Sequence, residues 1–319
     1  MEVDFDLKRN GMDVALVATP EPVIERWLRD DMCPRWPTGA TEIAPGLYIG
    51  ELPDAISGEV ERQCARLGET PVAVAVPFHS AFWEVVPPDA SDVDWSPGHG
   101  LRHLMQVARL VRPHAGDLSW AATVRWRGDR VMATPARFER HTHICLIREE
   151  DAWLRPDDLA EVRTLWSAWT SLRATSGLPT RVARAMWYFE YVQCVLELDV
   201  RWPLLGTALE ALIKVWNDQD GGSTAAFVHR GAALAQLAGV NWTSSWLRDV
   251  NEMRSCFAHG QPPGAMGQGR PAVRAEYAAF EDGLRSILRA AILHEEVRDA
   301  VASDDAIRRC LGTRARTPK

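Results

Sequence analysis

The sequence predicts an α+β protein in two parts, a strand-rich mixed domain over residues 1–150 and an all-α helical bundle over residues 156–305, followed by a basic tail, residues 306–319. Its length of 319 residues suits two domains, and 46% apolar residues suffice for a sizeable core. The pattern changes near Pro156. Before it, short alternating runs are bounded by Pro, Gly and Asp, whereas after it apolar residues recur at three- and four-residue steps.

The front part contains runs that are typical of strands, with β-branched residues or alternating polarity. These runs are residues 46–52, 70–78, 119–126 and 141–148. One helix is predicted over residues 101–111, where Leu104, Ala108 and Val111 share a face. The front part contains no phosphate-binding glycine loop, no serine-hydrolase motif and no paired acidic motif, so its own residues predict no chemistry.

The rear part reads as a series of amphipathic helices joined by short loops, which favours a bundle. Asp157 and Asp158 are expected to cap the first helix, Pro203 to open the third, and Thr243 or Ser244 to cap the fifth. We predict helices at about 157–171, 182–196, 203–216, 224–237, 243–259 and 272–301, with Trp216 on the apolar side of the third, and loops at 217–223 and 260–271.

Charge and cysteine use limit the classes of function. The net charge of −7 belongs to residues 1–150, with 16 Lys+Arg against 23 Asp+Glu, while the rest carries 20 of each. Neither part is a broad basic surface for duplex nucleic acid, so any nucleic-acid contact is expected in a local cleft. The six cysteines show no zinc spacing, and His141 and His143 lack a third ligand. We therefore expect a cytoplasmic protein with no metal, no cofactor and no membrane segment.

The stretch MRSCFAHG, residues 253–260, combines an arginine and a histidine at the end of a predicted helix. Met253 and Phe257 fall on an apolar stripe with Trp246 and Val250, and we expect this stripe to face the core. Arg254 lies roughly 80° and His259 roughly 220° around the helix from Trp246, and the small or polar residues Asn251, Ser255 and Ala258 lie between them. An imidazole exchanges protons near neutral pH, and a guanidinium binds phosphate through paired hydrogen bonds. Taken alone, these residues favour an ordinary helix end closed by Gly260 over a catalytic site.

Four segments in order give the rear part a family resemblance. They are RVARAMWYFEYV (181–192), TALEALIKVW (207–216), FVHRGAALAQL (227–237) and VNEMRSCFAHG (250–260). Together they resemble the HEPN superfamily, most closely its Apea-like branch, whose mark is an R-x4-H motif. The resemblance covers about a quarter of the chain and does not extend to residues 1–150.

The resemblance implies a metal-independent endoribonuclease in an HEPN-like bundle. His259 would be the acid/base group, Arg254 would bind the scissile phosphate, and Ser255 would orient one of them. Attack by the RNA 2′-hydroxyl would then leave a 2′,3′-cyclic phosphate and a 5′-hydroxyl. It further implies RNA as partner, a homodimer through the motif helices, and a front domain that senses a trigger ligand or protein or positions the substrate. A toxic effector of anti-phage defence fits that description.

Three residues are weaker candidates for substrate binding. Glu210 either reaches the motif from the neighbouring helix, or pairs with Lys214 four residues on, or has a buried structural role. Arg230 either binds phosphate or braces the fold, and Asn251 shares the small-residue face with Ser255. A different class of function also stays open, because some HEPN domains are non-catalytic modules that bind nucleotides or proteins.

Overall fold

The computed structural model of the protein describes a defined set of residues, which are 12–18, 40–44, 47–50, 62, 80–85, 99–113, 117–127, 130–135, 156–175, 177, 179–195, 197–216, 222–261 and 270–312. The chain divides into two compact units, Met1–Trp166 and Ser167–Lys319. Several predictions lie outside the described residues, namely the strands at 70–78 and 141–148, His141, His143 and the last part of the basic tail.

The described strands of the first unit form one antiparallel sheet in the order β2-β3-β4-β1-β5-β6. The strands are β1 (Met12–Ala18), β2 (Ala40–Ala44), β3 (Leu47–Gly50), β4 (Ser80–Val85), β5 (Asp117–Arg127) and β6 (Arg130–Pro135). β5 contains the predicted run 119–126, and β3 lies inside the predicted run 46–52. Alternating side chains on such strands point to opposite faces, which is why their sequences alternate.

Helix α1 (His99–Val111) covers the helix predicted in the front part and buries Leu104 and Ala108. Just beyond α1, Arg112 forms a bidentate ion pair with Asp158. Its Nε lies 2.6 Å from Oδ2 and its Nη2 lies 2.9 Å from Oδ1. Asp157 and Asp158 lie in a 3-10 turn, Pro156–Asp158, rather than at a simple helix cap. The Asp158 carboxylate is therefore engaged by Arg112.

From residue 159 onward the described residues form an all-helical bundle. Its helices are α2 (Leu159–Ala174), α3 (Thr180–Val192), α4 (Leu198–Ile213), α5 (Gly222–Leu237), α6 (Ser244–Ala258), α7 (Arg270–Leu293), α8 (Glu295–Ala300) and α9 (Asp304–Cys310). Helix α4 packs against α3, α5, α6 and α7. Its Trp202 is fully buried, with ring centroids 5.6 Å from Tyr277, 5.9 Å from Phe280 and 6.5 Å from Phe257.

A polar cluster lies inside this aromatic core. Glu281 accepts hydrogen bonds from Arg285 Nη2 at 2.7 Å and from Gln193 Nε2 at 3.2 Å. Arg201, fully buried, donates to the Val195 carbonyl. Burial, and then the nearby Glu281 carboxylate, raise the pKa of Tyr277 well above its ordinary value. Because buried charges are costly unless they are paired, this cluster ties α3, α4 and α7 together.

Two predicted helix limits are wrong. Pro203 lies inside α4 rather than at its start, because the preceding turn buries Arg201 and Trp202 and that packing outweighs the missing N–H of proline. The long helix predicted over 272–301 is interrupted at His294, where the backbone is extended. Arg298 from α8 donates to the Ile292 carbonyl at 3.1 Å, so the interruption leaves the end of α7 capped by a side chain.

Trp216 is also placed differently from the prediction. Helix α4 ends at Ile213, and Lys214 has extended backbone angles of φ −76° and ψ 133°. The helix that would carry Trp216 to the core side ends three residues before it. Its side chain is 81% exposed.

Candidate functional site

Helix α6, which carries the R-x4-H motif, has well-formed ends. The Thr243 side chain accepts the Trp246 N–H at 3.2 Å, which is one of the two predicted caps. At the other end Gly260 has φ 66°, Gln261 N–H donates to the Cys256 carbonyl at 2.8 Å, and Gly260 N–H donates to Phe257 at 3.1 Å. These two bonds make a Schellman motif, which needs a left-handed residue after the helix. His259 is consequently the C-cap residue of α6.

The core face of α6 differs slightly from the predicted stripe. Leu247, Val250 and Met253 are buried, whereas Trp246 and Phe257 are half-buried at its margins. The motif's other residues lie away from this face, and Ser255, Ala258 and His259 are exposed. The described end of α6 therefore presents a small, polar, accessible surface.

Arg254 is held in place by contacts from α4 and α5. Its Nη1 lies 2.7 Å from Oε1 of Glu210, and the two side chains are 23% and 22% exposed. Its guanidinium carbon lies 5.2 Å from the centre of the Phe227 ring. Its aliphatic stem crosses α4 at Gly206, where a Cβ atom would come within 2.2 Å of Arg254 Cδ. We call this set, Gly206, Glu210, Phe227 and Arg254, the arginine slot.

The slot shows which cation the Glu210 carboxylate faces. Its carboxylate pairs with Arg254 of α6 rather than with Lys214, which lies just beyond the end of α4. A guanidinium has five N–H donors in a fixed fork, so one edge can face Glu210 while the remaining donors are available to a phosphate. The pair fixes the orientation of Arg254 but also neutralises its charge.

Arg230 belongs to the core. It is 1% exposed, and its Nη1 donates to the carbonyl of Ile213, the last residue of α4, at 3.4 Å. This is the bracing alternative, because an incoming phosphate cannot reach so buried a side chain. The burial of Arg230 therefore favours a bracing role over phosphate binding.

Asn251 and Ser255 lie one turn apart on α6. Asn251 Nδ2 is 3.4 Å from the Thr224 hydroxyl at the start of α5, so it links the two helices. Ser255 is exposed, and its backbone carbonyl accepts the His259 N–H at 3.1 Å. Ser255 thus supports His259 through its backbone.

The geometry brings Arg254 and Glu210 together but not Arg254 and His259. Five residues along one helix correspond to roughly 140° of rotation, so the two side chains leave α6 in different directions. Sequence reasoning missed Gly206 and Phe227. Gly206 carried a usable signal, because a glycine inside a helix costs about 1 kcal/mol and often has a packing reason.

No family model, no curated protein and no solved structure matches this chain. In the ranges that the structure describes, no three His, Cys, Asp or Glu side chains are grouped to hold a metal ion. Among the described helices, none combines the length and apolar character needed to cross a membrane.

Proposed function

We propose that this chain is a metal-independent endoribonuclease of the HEPN type. The 2′-oxygen of RNA attacks the adjacent phosphorus and loses its proton, the 5′-oxygen leaves and gains a proton, and His259 moves protons in this exchange. Arg254 binds the phosphate and steadies the charge that grows on it. The products are a 2′,3′-cyclic phosphate and a 5′-hydroxyl.

The observation that carries the proposal is the arginine slot. An arginine that served only as a surface residue would need no such fixed surroundings. Arg254 has the Glu210 carboxylate, the Phe227 ring and the space left by the missing side chain of Gly206. Preorganised cations are what phosphoryl chemistry needs, because they stabilise transition-state charge without reorganising. The exposed His259 follows at the end of the same helix.

A homodimer is part of the proposal. One α6 directs Arg254 and His259 roughly 140° apart, so a single copy does not aim both at one phosphate. A second copy of α6 lying against the exposed Ser255 and Ala258 brings the two motifs side by side. Small side chains there allow such a close approach. In the proposed assembly residues 1–150 sense a trigger or position the RNA.

The test is digestion of total RNA and tRNA by the purified protein in EDTA. His259→Ala is expected to lower the cleavage rate by about 10²–10⁴-fold, and Arg254→Ala by about 10²–10³-fold. The new 5′ ends should accept phosphate from a kinase without phosphatase treatment, because they carry hydroxyls.

Matched controls lie on the same bundle. His229 is exposed on α5, and Arg248 is exposed on α6. His229→Ala and Arg248→Ala should cut as the parent does. If His259→Ala and Arg254→Ala also cut like the parent, the site is wrong.

A second candidate is a non-catalytic module that binds a nucleotide or a protein. The ion pair with Glu210 favours it, because a neutralised Arg254 can be a purely structural link between α4 and α6. Calorimetry with nucleotides beside the EDTA digest separates the two candidates. Nucleotide binding without any cleavage supports the module.

A further inference from the structure

A cleft of about 780 Å³ lies next to the arginine slot. Its walls include Arg184 and Tyr188 of α3, Glu210 of α4, Lys214 and Trp216 just beyond α4, and Phe227 of α5. Glu210 and Phe227 both contact Arg254, so the cleft and the slot share a wall. The volume is that of a site for a small ligand or a short polymer segment.

Two cations in the wall of the cleft have no carboxylate partner among the described residues. Arg181, also in its wall, forms an ion pair with Asp304, and Glu210 is paired with Arg254. Arg184 and Lys214 are exposed, and within the described part of the chain no carboxylate pairs with either side chain. Two cations thus remain for an anionic ligand. Such a local cleft suits a protein whose rear part carries no net charge.

Trp216 stands at the cleft with an unusually exposed side chain on a well-anchored backbone. The backbone N–H of Trp216 donates to Oδ2 of Asp304 at 3.0 Å. The neighbouring Lys214 donates its N–H to the Glu210 carbonyl at 2.9 Å, and Lys214 accepts a bond from Arg181. Because Trp216 is 81% exposed, its indole does not contribute the stabilisation that burial of an aromatic ring supplies. An exposed aromatic surface beside cations is the arrangement by which proteins hold single-stranded nucleic acid.

We infer that this cleft binds a single-stranded segment of RNA, with a base stacked on Trp216 and the backbone phosphates held by Arg184 and Lys214. The inference rests on the proposed function, since it makes the cleft the channel that leads the strand to Arg254. Glu210 then lies between the phosphates that Arg184 and Lys214 bind and the scissile phosphate at Arg254.

The experiment measures binding of an unstructured, fluorescein-labelled 12-nucleotide RNA by anisotropy, with every variant built on His259→Ala so that cleavage does not interfere. Trp216→Ala should weaken binding about 5- to 150-fold. Arg184→Gln with Lys214→Gln should reduce the slope of log K against log salt by about 1.4. The controls are Trp187→Ala and Arg274→Gln, because Trp187 is 58% exposed on α3, Arg274 is exposed on α7, and neither lines the cleft.

Each outcome is decisive. Weakening confined to the cleft variants supports the inference, whereas equal weakening in the controls, or parental binding by both cleft variants, overturns it. If AMP displaces the RNA and binds as tightly as the RNA does, the cleft is a site for a free nucleotide, and that result also overturns the inference. The two proposals fail separately. RNA binding through the cleft without cleavage by the parent overturns only the ribonuclease. Parental cleavage by the same cleft substitutions, made with His259 intact, overturns only the cleft.

Discussion

Replacing Gly206 by alanine tests whether the arginine slot matters for function. The new Cβ would lie 2.2 Å from Cδ and 3.1 Å from Cγ of Arg254. Carbon atoms pack at about 3.5–4.0 Å, so the arginine side chain must move away from α4. That movement breaks the 2.7 Å contact with Glu210 and carries the guanidinium off the Phe227 ring.

The two expected effects differ widely in size. Alanine in place of a helical glycine stabilises by about 1 kcal/mol. The half-exposed ion pair is worth about 0–1 kcal/mol, and the contact with Phe227 about 0.5–1 kcal/mol. These terms offset one another, so the free energy of unfolding should change by no more than about 1 kcal/mol. Under the proposed function, cleavage should fall about 10²–10³-fold, because the guanidinium that the proposal assigns to the transition state is displaced.

Urea unfolding followed by circular dichroism and the RNA cleavage rate measure the two effects on one sample. Gly231→Ala on α5 is the control, since its Cβ would meet Leu247 at 3.2 Å and Leu209 at 3.5 Å and would not touch Arg254. Gly206→Ala and Glu210→Gln should be non-additive, because both act through Arg254. A folded Gly206→Ala protein with parental cleavage, or additive effects of the two changes, would refute the reasoning.

Three further predictions concern the bundle. Gly260→Ala should destabilise by about 1–2 kcal/mol in urea unfolding, because alanine is strained at φ 66°; an unchanged midpoint contradicts this. Glu281→Gln should cost about 1.5–3 kcal/mol by the same assay, since it removes a buried charge-assisted hydrogen bond from Arg285, whose Nη1 still pairs with Asp282; a loss below about 1 kcal/mol would contradict this. The pKa of Tyr277 is raised by burial above its unfolded value, so the stability it contributes is complete below about pH 10 and is lost as pH rises further. Unfolding free energies measured from pH 8 to 11 should fall less steeply in Tyr277→Phe than in the parent, and parallel curves would contradict the assignment.

Local patterns were sufficient for most of the bundle. Helix α5 begins and ends near its predicted limits, and α6 has the predicted Thr243 cap and the glycine after its last turn. These features depend on neighbouring residues alone, such as a hydroxyl before the first turn and a left-handed glycine after the last. The R-x4-H spacing was likewise visible in the sequence, but its function remains a proposal.

The errors arose where distant contacts outweighed local preference. Burial of Arg201 and Trp202 carries α4 back past Pro203, and Arg298 caps α7 where periodicity predicted one long helix. Trp216 turned outward because the helix stopped before it.

Amphipathic spacing and capping residues determined a helical rear part and the position of the motif at the end of one helix, because both follow from interactions between residues a few positions apart. The partners of Arg254 were decided only in three dimensions. Glu210 and Phe227 come from other helices, and Gly206 matters only because the arginine stem crosses it. Pairing across helices depends on how they pack, and no local pattern encodes that packing.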